Sequence, residues 1–562
     1  MFKKQVVNLL VKQTHLREQE IQSLIEIPPD EKLGDYAFPC FVLAKKHKKA
    51  PNLIAEHLAK DIKLPAEIER IEAKGPYLNF FVNKKLIAEQ IIKINANYGK
   101  TAIGKKRKIV IDFSAPNVGK PMHIGHIRST IIGDSLMRIF NFLDYEPIGV
   151  NYLGDIGLHI GKLIVAYELW LDKKALEKSP ITELLRLYVK FCSKEKSEVQ
   201  EGLEEEFQDD EWTKRAKEKL KLLELGDKKT KKIWDEIRKY SGKGFDRIYE
   251  MLNIEFNETV GQREFGEKGK QIVSSLLLKR IAKSEEDGAV YVELEEQKKY
   301  ILRANKTASY ITYDLGAAVE RFKKYKFDRM IYVTDFRQKA HFSQLFAILR
   351  LAGYDFSNKL THLPFGIVKF GTEILATRKG NIVLLEDVLK KTIEKAEQEI
   401  KKRKTKGDAE KVGVGAVKYV ILKNEPARDV QFSWEQALNF EGDAGPYLQY
   451  SYARASSILR KAGNFNKSKI KIEIQKLEEN EIKLIKKIAN FPEIVEKASS
   501  SLNPSLIANY SFELAQIFNE FYHSCPVIGS EQEAFRLKLI QAFKTTIKNA
   551  LYLLGIEVME EM

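Results

Sequence analysis

The sequence predicts an α/β protein in which a parallel-sheet core is flanked by a small N-terminal α+β domain and an all-α C-terminal domain. Between Lys108 and Leu153, a buried apolar run, an amphipathic helical pattern and a second apolar run follow one another. Strand, helix and strand in this order form a βαβ unit, which implies a parallel sheet. The segment before this unit mixes helical patterns with short strands, and the chain from about Asp387 onward is mainly helical in pattern.

The other elements follow from their local patterns along the chain. GPYLNFFVN at Gly75–Asn83 predicts a strand, and KIVIDFS at Lys108–Ser114 predicts a buried one because it is short, branched and apolar. GHIRSTIIGDSLMRIFNFL has apolar residues at helical spacing, and IGVNYL follows as the next strand. Residues 170 to about 285 are highly charged and predict helices. Strand-like runs then return as AVYVEL, KYILR, ASYIT and RMIYVTDF.

Length and composition indicate a globular protein of several domains. At about 150 residues per domain, 562 residues suggest three to four domains, enough to build a core without disulfides or a structural metal. Apolar residues make up 44% and charged residues 31%, a balance that excludes a disordered chain. No apolar run approaches the roughly 18 residues of a membrane span, and the start resembles no secretory signal. We therefore expect a cytoplasmic protein without a membrane partner.

Cysteine usage and charge restrict the environment and the partners. Cys40, Cys192 and Cys525 are too far apart in sequence for a disulfide framework or a C-x-x-C zinc site, which fits a reducing compartment. Lys and Arg number 94 against 78 Asp and Glu, a formal net charge of +16. A basic surface favours a polyanion such as nucleic acid. A lysine-rich proteome would explain the same excess, so charge alone leaves both interpretations open.

The most informative stretch is SAPNVGKPMHIGHIRST at Ser114–Thr130, where a Pro- and Gly-containing loop leads from a strand into a helix. A helix N-terminus attracts phosphate through its free N–H groups. His123 and His126 can donate hydrogen bonds to phosphoryl oxygens there, and Lys120 adds a cation. Gly125, which has no side chain, would let a flat adenine lie against the backbone. A lone histidine is usually structural, but this combination predicts an ATP-binding turn.

A zinc site is the alternative use of the same histidines. The His123 and His126 pair with Asp134 has a spacing that a helix could present to a metal. No further cluster of ligands accompanies these residues, and a zinc site needs three or four of them. We therefore predict no protein-bound metal here.

These residues resemble a known family. His123-Ile124-Gly125-His126 is the HIGH signature of class I aminoacyl-tRNA synthetases, and the surrounding string closely resembles arginyl-tRNA synthetases. The ending NALYLLGIEVMEEM also looks like that family, so the resemblance covers essentially the whole chain. It continues in the motifs at Asn151–Ile164, Ser309–Ala318, Ile331–Phe342 and Gly445–Ala462.

The resemblance implies a Rossmann-like catalytic core and a helical anticodon-binding bundle. We expect an added N-terminal domain over residues 1–95, which in this family contacts the corner of the tRNA. From the residues alone, it could equally serve dimerisation or folding. The remaining boundaries are a catalytic domain at 96–386 with a helical insertion at about 170–285, a connecting stem at 387–440, and the anticodon-binding domain at 441–562.

The implied activity is that of an arginine–tRNA ligase. Such enzymes use ATP to convert L-arginine to arginyl-adenylate, and class I members then transfer the arginyl group to the 2′-OH of the 3′-terminal ribose of tRNA(Arg). Arginyl enzymes typically need bound tRNA before they activate the amino acid. Mg²⁺ is expected to accompany ATP. We expect the protein to be a monomer.

Arginine has a planar fork of donors, so a site that selects it needs carboxylates and planar acceptors. The resemblance implies that Asp314 receives the guanidinium, with Tyr310 and Gln338 shaping the slot. Without the resemblance, Tyr310 would be a strand-end residue and Asp314 a helix cap. The resemblance and the proximity of Glu146 to this region suggest further arginine contacts at Ala115, Pro116, Asn117, His126, Glu146 and Asn151.

The second class I signature is a lysine-bearing loop that grips the ATP phosphates. Its match is Ile374–Asn381, where the first lysine of the usual Lys-Met-Ser-Thr-Arg is absent. Family members that lack this lysine carry one just upstream of HIGH, and Lys120 fits. Arg378 and Lys379 share the task or form a solvated basic loop. The expected catalytic residues are Lys120, His123, His126, Arg378 and Lys379, and the expected ATP-binding residues are Lys120, His123, Gly125 and His126.

Aromatic and basic residues of the C-terminal helices fit anticodon recognition, because splayed bases stack on aromatic rings. The alternative is that aromatic residues at helical spacing belong to the core. Two departures from the family are His159, where many relatives have glutamine, and Asn549–Tyr552, which matches only half of Asp-Ala-Leu-Arg. The expected tRNA-binding residues are Tyr447, Tyr450, Arg454, Tyr522 and Arg536.

Two rival functions remain open. One is a class I synthetase for another amino acid. The other is a tRNA-binding paralogue without catalysis, acting as a chaperone or regulator. The intact HIGH signature and Lys120 favour catalysis over the second rival.

Overall fold

The structure is a computed structural model that describes residues 2–28, 30–195, 210–295, 297–370, 384–463 and 477–562. The strands are β1 Tyr36–Pro39, β2 Ile68–Lys74, β3 Tyr77–Val82, β4 Lys108–Asp112, β5 Glu146–Leu153, β6 Glu258–Gly261, β7 Ala282–Ser284, β8 Val290–Leu294, β9 Gln297–Leu302, β10 Arg329–Asp335, β11 Leu360–Phe365, β12 Val368–Phe370 and β13 Val430–Phe432. Short 3₁₀ turns lie at Glu31–Leu33, Gln262–Phe265, Phe336–Gln338 and Asp355–Lys359.

The helices surround these strands in the N-terminal and central parts of the chain and make up nearly all of its C-terminal part. They are α1 Phe2–Thr14, α2 Glu18–Leu24, α3 Phe41–His47, α4 Pro51–Asp61, α5 Lys84–Ile91, α6 Ile124–Phe142, α7 Leu158–Trp170, α8 Lys173–Lys178, α9 Pro180–Cys192, α10 Glu211–Glu224, α11 Lys228–Met251, α12 Gly266–Leu278, α13 Tyr310–Tyr325, α14 Lys339–Leu351, α15 Leu385–Arg403, α16 Ala409–Leu422, α17 Trp434–Ala437, α18 Gly445–Lys461, α19 Glu479–Ala489, α20 Phe491–Ser500, α21 Ser505–Ser524 and α22 Glu533–Leu553.

The central sheet has the order β11-β10-β4-β5-β6, and every neighbouring pair is parallel. This confirms the parallel-sheet prediction. The chain leaves β4 toward β5 on one side and later returns to β10 on the other. The order therefore reverses between β4 and β10, and open α/β sheets bind ligands beside the carboxyl ends of strands at such a reversal.

Two local predictions were wrong. Residues 258–261 lie inside the segment expected to be helical, yet they form β6, the edge strand of the central sheet. Glu258–Gly261 has too few apolar residues to signal a strand. The run ASYIT was expected to be strand-like, but Ser309 begins helix α13 in a capping box with Thr312. Its β-branched residues mimic a strand, whereas the capping pattern identifies the helix start.

Two apolar layers cover the sheet. Along β4, Ile109 and Ile111 face one cluster with α6 and α7, while Val110 faces a second cluster with α12, α13 and α14. This alternation is the period-2 geometry of a strand buried on both faces. N-terminal to the sheet, β1, β3 and β2 form a separate antiparallel sheet, which agrees with the α+β prediction.

Helix α6 connects the central sheet to the C-terminal helices. Its Ser135 hydroxyl donates to the Leu553 carbonyl at 2.7 Å. Arg128, fully buried, donates to the carbonyls of Gly366, Glu425 and Arg428. The helix that begins at the HIGH signature is thus held by segments on both sides of it.

The linker after the N-terminal domain also contacts the C-terminal helices. Asn549 donates to the carbonyls of Ala96 at 3.1 Å and Tyr98 at 2.9 Å, and the Tyr98 hydroxyl donates to Ile488 at 2.9 Å. These contacts join the parts of the chain without defining where one domain ends, so the proposed domain boundaries stay predictions. Within the described ranges, no helix has both the length and the apolar character needed to cross a membrane.

A buried ion pair fastens α13 to the central sheet. The Arg321 guanidinium donates to the Asp112 carboxylate at 2.7 Å, and the two side chains are only 3% and 4% exposed. Burial lowers the pKa of Arg321, but Asp112, Tyr332 and Tyr152 together outweigh burial and raise the pKa overall. The guanidinium therefore stays charged inside the fold.

Arg321→Met is expected to lower the free energy of unfolding by about 3 kcal/mol, because the Asp112 carboxylate would remain buried without its partner. Lys323→Met on the same helix is the control, since its pair with Glu320 is exposed and contributes little. Guanidinium unfolding followed by circular dichroism measures both variants. An unchanged unfolding midpoint for Arg321→Met would contradict this role.

Candidate active site

The predicted site lies where β4 and β10 end, at the reversal of strand order. After β4 the backbone turns sharply, with Ser114 at φ 71° and Ala115 at φ 48°. The Ser129 hydroxyl of α6 holds this turn, because it accepts from the Ser114 N–H at 2.9 Å and donates to the Val333 carbonyl of β10 at 2.6 Å. One hydroxyl therefore ties the turn to both the helix and the neighbouring strand.

Asn151 of β5 supports the same turn. Its side-chain oxygen accepts from the Ala115 N–H at 3.2 Å, and its amide donates to the Tyr249 hydroxyl at 3.1 Å. Tyr249 also bonds the Ser114 hydroxyl at 2.8 Å. Asn151 is buried, and these two hydrogen bonds hold its side chain against the turn.

The two histidines stand at the first turn of α6. His123 is the N-cap, and its Nδ1 accepts from the Gly125 N–H at 3.0 Å. His126 Nδ1 accepts from the His123 N–H at 3.2 Å. A backbone N–H can only donate, so each Nδ1 is unprotonated and each neutral ring carries its proton on Nε2. The rings lie 4.0 Å apart and leave two Nε2–H groups as donors.

The environment keeps both rings neutral. Burial, followed by the positive charges of Lys120 and Arg337, lowers the pKa of His123 to about 4. Burial, His123 and Lys120 lower the pKa of His126 to about 3. The charge of Lys120 therefore acts on both rings. At pH 7 the site presents neutral donors beside a cation, which suits an anion with several oxygens.

The first turn of α6 also requires a glycine at position 125, while the expected approach of adenine to Gly125 stays a prediction. A Cβ there would lie 2.8 Å from Cε1 and 2.9 Å from Nδ1 of His123. The histidine ring therefore occupies the space that a side chain would need, and the glycine permits the cap.

Lys120 reaches the site from the loop before the helix. Its ammonium lies 4.4 Å from the centre of the Tyr188 ring, and it also lowers the pKa of His159. The preceding Gly119, at φ +83°, donates its N–H to Ser241 at 2.9 Å. The loop that carries Lys120 is thus fixed by the helix α11 behind it.

The side-chain slot predicted for arginine lies next to these groups. Tyr310 begins α13, and its hydroxyl would be 2.8 Å from a Cβ on Gly157, two residues before His159. Asp314 lies one turn further along α13 and contacts His341 of α14 at 2.6 Å. Gln338 is the N-cap of α14, one turn before His341. The structure therefore brings Tyr310, Asp314 and Gln338 to neighbouring helix starts.

Asn117 and Pro116 line the other side of the turn. Asn117 is exposed and pairs with Gly154 in a parallel bridge, and a Cβ on Gly154 would lie 2.2 Å from the Asn117 side-chain oxygen. The Pro116 carbonyl accepts from the Gly154 N–H at 3.1 Å. These contacts bring the turn after β4 against the end of β5.

Glu146 does not belong to this site. It is the first residue of β5, paired across the sheet with Lys108, whereas Asn151 lies near the other end of the same strand. Five residues of strand span about 16 Å. Its carboxylate is exposed and lies 3.8 Å from the Lys108 ammonium. The expectation that Glu146 contacts arginine is therefore corrected, because it lies at the opposite edge of the sheet.

The second class I signature loop was expected to grip the ATP phosphates. Ile374–Asn381, with Arg378 and Lys379, lies outside the described residues. Their expected roles stay predictions.

Three of the residues expected to bind tRNA line one cavity between the C-terminal helices. Tyr450, Arg454 and Tyr522 surround a volume of about 690 Å³. The Arg454 guanidinium lies 4.8 Å from the Tyr450 ring centre and 5.9 Å from that of Tyr522. Tyr447 lies beside them, accepting from Asn519 at 2.8 Å. Aromatic rings and a guanidinium at one cavity can stack and hydrogen-bond a base.

Arg536 is placed differently from the other four. It is buried and donates to the Glu481 carboxylate at 2.7 Å, and Glu481 is itself fully buried. Its guanidinium also donates to the Pro526 carbonyl at 2.5 Å. Direct contact with tRNA is corrected to a packing role, because reaching a base would leave the Glu481 charge buried alone.

Sequence reasoning missed four residues that shape the site. Ser129 and Arg337 lie within quoted motifs, but a serine in a helix and an arginine in a loop carry no signal of their own. His341 lies three residues after Gln338, and one helical turn was the available clue. Tyr249 comes from the charged helical segment, and no local pattern points to it.

The described part of the chain contains no group of three or more His, Cys, Asp or Glu side chains that could hold a metal ion. The His123 and His126 pair has both Nδ1 atoms committed to backbone donors, which leaves only their protonated Nε2 atoms.

Comparison with known families covers nearly the whole chain. A family model described as the arginyl tRNA synthetase N terminal domain matches residues 2–82. The model for tRNA synthetases class I (R), catalytic domain, matches 88–434. The DALR anticodon binding domain model matches 448–562.

Curated relatives and solved structures point to the same family as the family models. Proteins named arginine–tRNA ligase from Clostridium beijerinckii and Clostridium perfringens are each 41% identical to this chain, with 100% of both chains covered. The arginyl-tRNA synthetase of Thermus thermophilus superposes with a TM-score of 0.83 at 24% identity, covering 100% of both chains. That of Plasmodium falciparum gives 0.79 at 25% identity, covering 100% of this chain and 99% of that one.

The lowered pKa of His126 predicts a pH-dependent stability. The folded value of about 3 lies below the unfolded value of about 6.5, so protons bind the unfolded chain preferentially and stability falls as pH drops below 6.5. Between pH 7 and pH 5, His126→Asn is expected to lose about 2 kcal/mol less stability than the wild type. Guanidinium unfolding at each pH measures this.

His57→Asn is the control for that experiment, because the His57 side chain is 67% exposed and lies far from the site in the N-terminal domain. It is expected to follow the wild-type curve. If His126→Asn also followed the wild-type curve, the ring would not be held neutral by its surroundings.

Proposed function

The chain belongs to the arginyl-tRNA synthetase family, and on that premise we propose which of its residues carry the reaction. Its activity is that of an arginine–tRNA ligase in translation. ATP and L-arginine give arginyl-adenylate and pyrophosphate, and the arginyl group then passes to the 3′-terminal ribose of tRNA(Arg). The observation that carries the assignment of roles is the start of α6, where two neutral Nε2–H donors lie beside the Lys120 ammonium.

In the first step, an oxygen of the arginine carboxylate attacks the α-phosphorus of ATP, and the bond to the β-phosphate oxygen breaks. Negative charge then grows on the phosphate oxygens. His123 and His126 donate to these oxygens through Nε2 without titrating, because their pKa values lie well below 7. Lys120 balances the charge of the departing pyrophosphate. Donors fixed before the reaction stabilise such charge without reorganisation.

Arginine is held on the side of the site formed by α13 and α14. Asp314 receives the guanidinium, and Tyr310 and Gln338 border the slot. Asn117, exposed beside Gly154, and Asn151, which also holds the Ala115 turn, are the groups proposed for the α-amino and carboxylate ends of the amino acid.

In the second step, the 2′-OH oxygen of the terminal ribose attacks the carbonyl carbon of arginyl-adenylate. The bond to the adenylate oxygen breaks, AMP leaves, and the hydroxyl proton passes to the AMP phosphate or solvent. Mg²⁺ enters with ATP and neutralises its phosphate charge. The protein is proposed to act as a monomer, in the cytoplasm where tRNA is charged.

The C-terminal cavity is the proposed contact for the anticodon. Tyr450 and Tyr522 offer ring faces and Arg454 offers donors, while Arg454 Nη1 is oriented by Asn519 at 2.6 Å. Tyr447 positions the same Asn519 amide.

The direct test of the function is tRNA-dependent pyrophosphate exchange with arginine, lysine and cysteine in parallel. Exchange with arginine alone is expected. Exchange with another amino acid would indicate a different class I synthetase. No exchange with any of them, with tRNA still bound, would indicate a non-catalytic tRNA-binding protein.

Lys120→Ala is expected to reduce adenylate formation by about 100-fold or more, since a cation that acts on the developing phosphate charge is lost. Lys190→Ala is the matched control, because Lys190 also lies over an aromatic ring, 4.8 Å from the Trp170 centre, but does not affect either histidine. The rate of tRNA-dependent pyrophosphate exchange is measured for both variants. An unchanged rate for Lys120→Ala would remove Lys120 from the mechanism.

Arg454→Ala is expected to raise the KM for tRNA about 10-fold while the KM values for ATP and arginine stay unchanged, because a base would lose its guanidinium partner. Arg403→Ala, in an exposed pair with Glu441, is the control for a general loss of positive charge. Aminoacylation at varied tRNA concentration measures both. Equal effects of the two variants would indicate nonspecific electrostatics in place of a base contact.

A further inference from the structure

A short contact beside the proposed arginine slot joins two helices. His341 Nε2 lies 2.6 Å from Asp314 Oδ2, and the two side chains are 23% and 15% exposed. His341 stands in the first turn of α14, and Asp314 in the second turn of α13. The contact therefore spans the two helices that border the slot.

The hydrogen bond has one possible direction when Asp314 is ionised. A carboxylate only accepts, so the proton lies on His341 Nε2 and is donated to Oδ2. A carboxylate offers about four lone pairs on two oxygens, and this bond uses one of them. Within the described residues, Oδ1 and the remaining lone pair of Oδ2 stay available, which is what two parallel N–H donors of a guanidinium need.

The imidazole ring is itself held in place. It meets the Phe342 ring edge-on at 5.3 Å, and Phe342 stacks on His362 of β11 at 4.7 Å. His362 in turn bonds the Thr334 hydroxyl of β10 at 2.9 Å. These contacts fix the orientation of the His341 ring relative to the carboxyl ends of the central strands.

We propose that His341 is a positioning residue that fixes the plane of the Asp314 carboxylate and thereby favours a planar, forked cation over a point-like one. A guanidinium gains two hydrogen bonds only if the carboxylate lies in its plane, whereas an ammonium makes similar contacts at many angles. This inference rests on the proposed function of Asp314 as the guanidinium acceptor. The rival interpretation is that the pair only holds α13 to α14.

Four variants separate these interpretations: His341→Ala, His341→Gln, Asp314→Asn and the double variant His341→Ala/Asp314→Asn. Glutamine can place an amide N–H close to the position of Nε2, so it keeps the donor without the ring. Pyrophosphate exchange with tRNA present gives KM and kcat for arginine and the KM for ATP. Lysine, whose side chain ends in a point-like ammonium, is added as a competitor, and its inhibition constant is measured for each variant.

His341→Ala is expected to raise the KM for arginine about 10-fold, because the guanidinium would lose one charge-assisted hydrogen bond to Asp314. The KM for ATP is expected to stay unchanged. The inhibition constant of lysine is expected to change less than about 2-fold, so discrimination falls. His341→Gln is expected to recover most of the arginine KM. The double variant is expected to be no worse than Asp314→Asn, because the histidine acts through that carboxylate.

The contrary outcomes are distinct. If His341→Ala weakens arginine and lysine equally, or if His341→Gln is as impaired as His341→Ala, the pair is structural and the inference fails. If Asp314→Asn leaves the arginine KM unchanged, the proposed slot itself is wrong. If His341→Ala does not fold, His341→Gln is compared with His341→Asn, whose amide is too short to reach Nε2. Equal arginine KM values for these two would overturn the proposal.

Discussion

The site depends on two backbone hydrogen bonds at the start of α6. Because Gly125 and His123 N–H groups donate to the Nδ1 atoms of His123 and His126, both protons are fixed on Nε2. The rings thereby cap the helix and present donors at the same time. Burial and Lys120 then keep them neutral. A helix start that binds phosphate is common, but here the side chains that complete the cap are also the proposed contacts with the nucleotide.

The topology of the central sheet places the start of α6 beside the proposed arginine slot. The reversal of strand order between β4 and β10 brings the α6 start and the α14 start to the same edge. Ser129 joins the turn after β4 to β10 through one hydroxyl, and the buried pair of Asp112 and Arg321 fastens α13 to β4. Nucleotide and amino acid can therefore be held by elements that share one rigid sheet. The C-terminal helices contact α6 directly, through the bond from Ser135 to Leu553.

Local patterns and family motifs predicted the βαβ unit, the parallel sheet and the histidine turn, because these depend on residues close in sequence. They failed where distant contacts decide. Glu146 is near Asn151 in sequence, but strand direction places it at the opposite edge. Arg536 has the residue type of an RNA contact, but Glu481 from another helix buries it. Tyr249 and His341 shape the site through partners 135 and 27 residues away, and no local pattern reveals such pairings.

The most direct measurement is a crystal structure with a non-hydrolysable ATP analogue, arginine and tRNA bound. The account predicts phosphate oxygens within about 2.7–3.2 Å of Nε2 of His123 and His126, the Lys120 ammonium beside them, and the guanidinium in plane with Asp314. Phosphates bound away from the α6 start, or histidine rings turned so that Nε2 faces the protein, would contradict it.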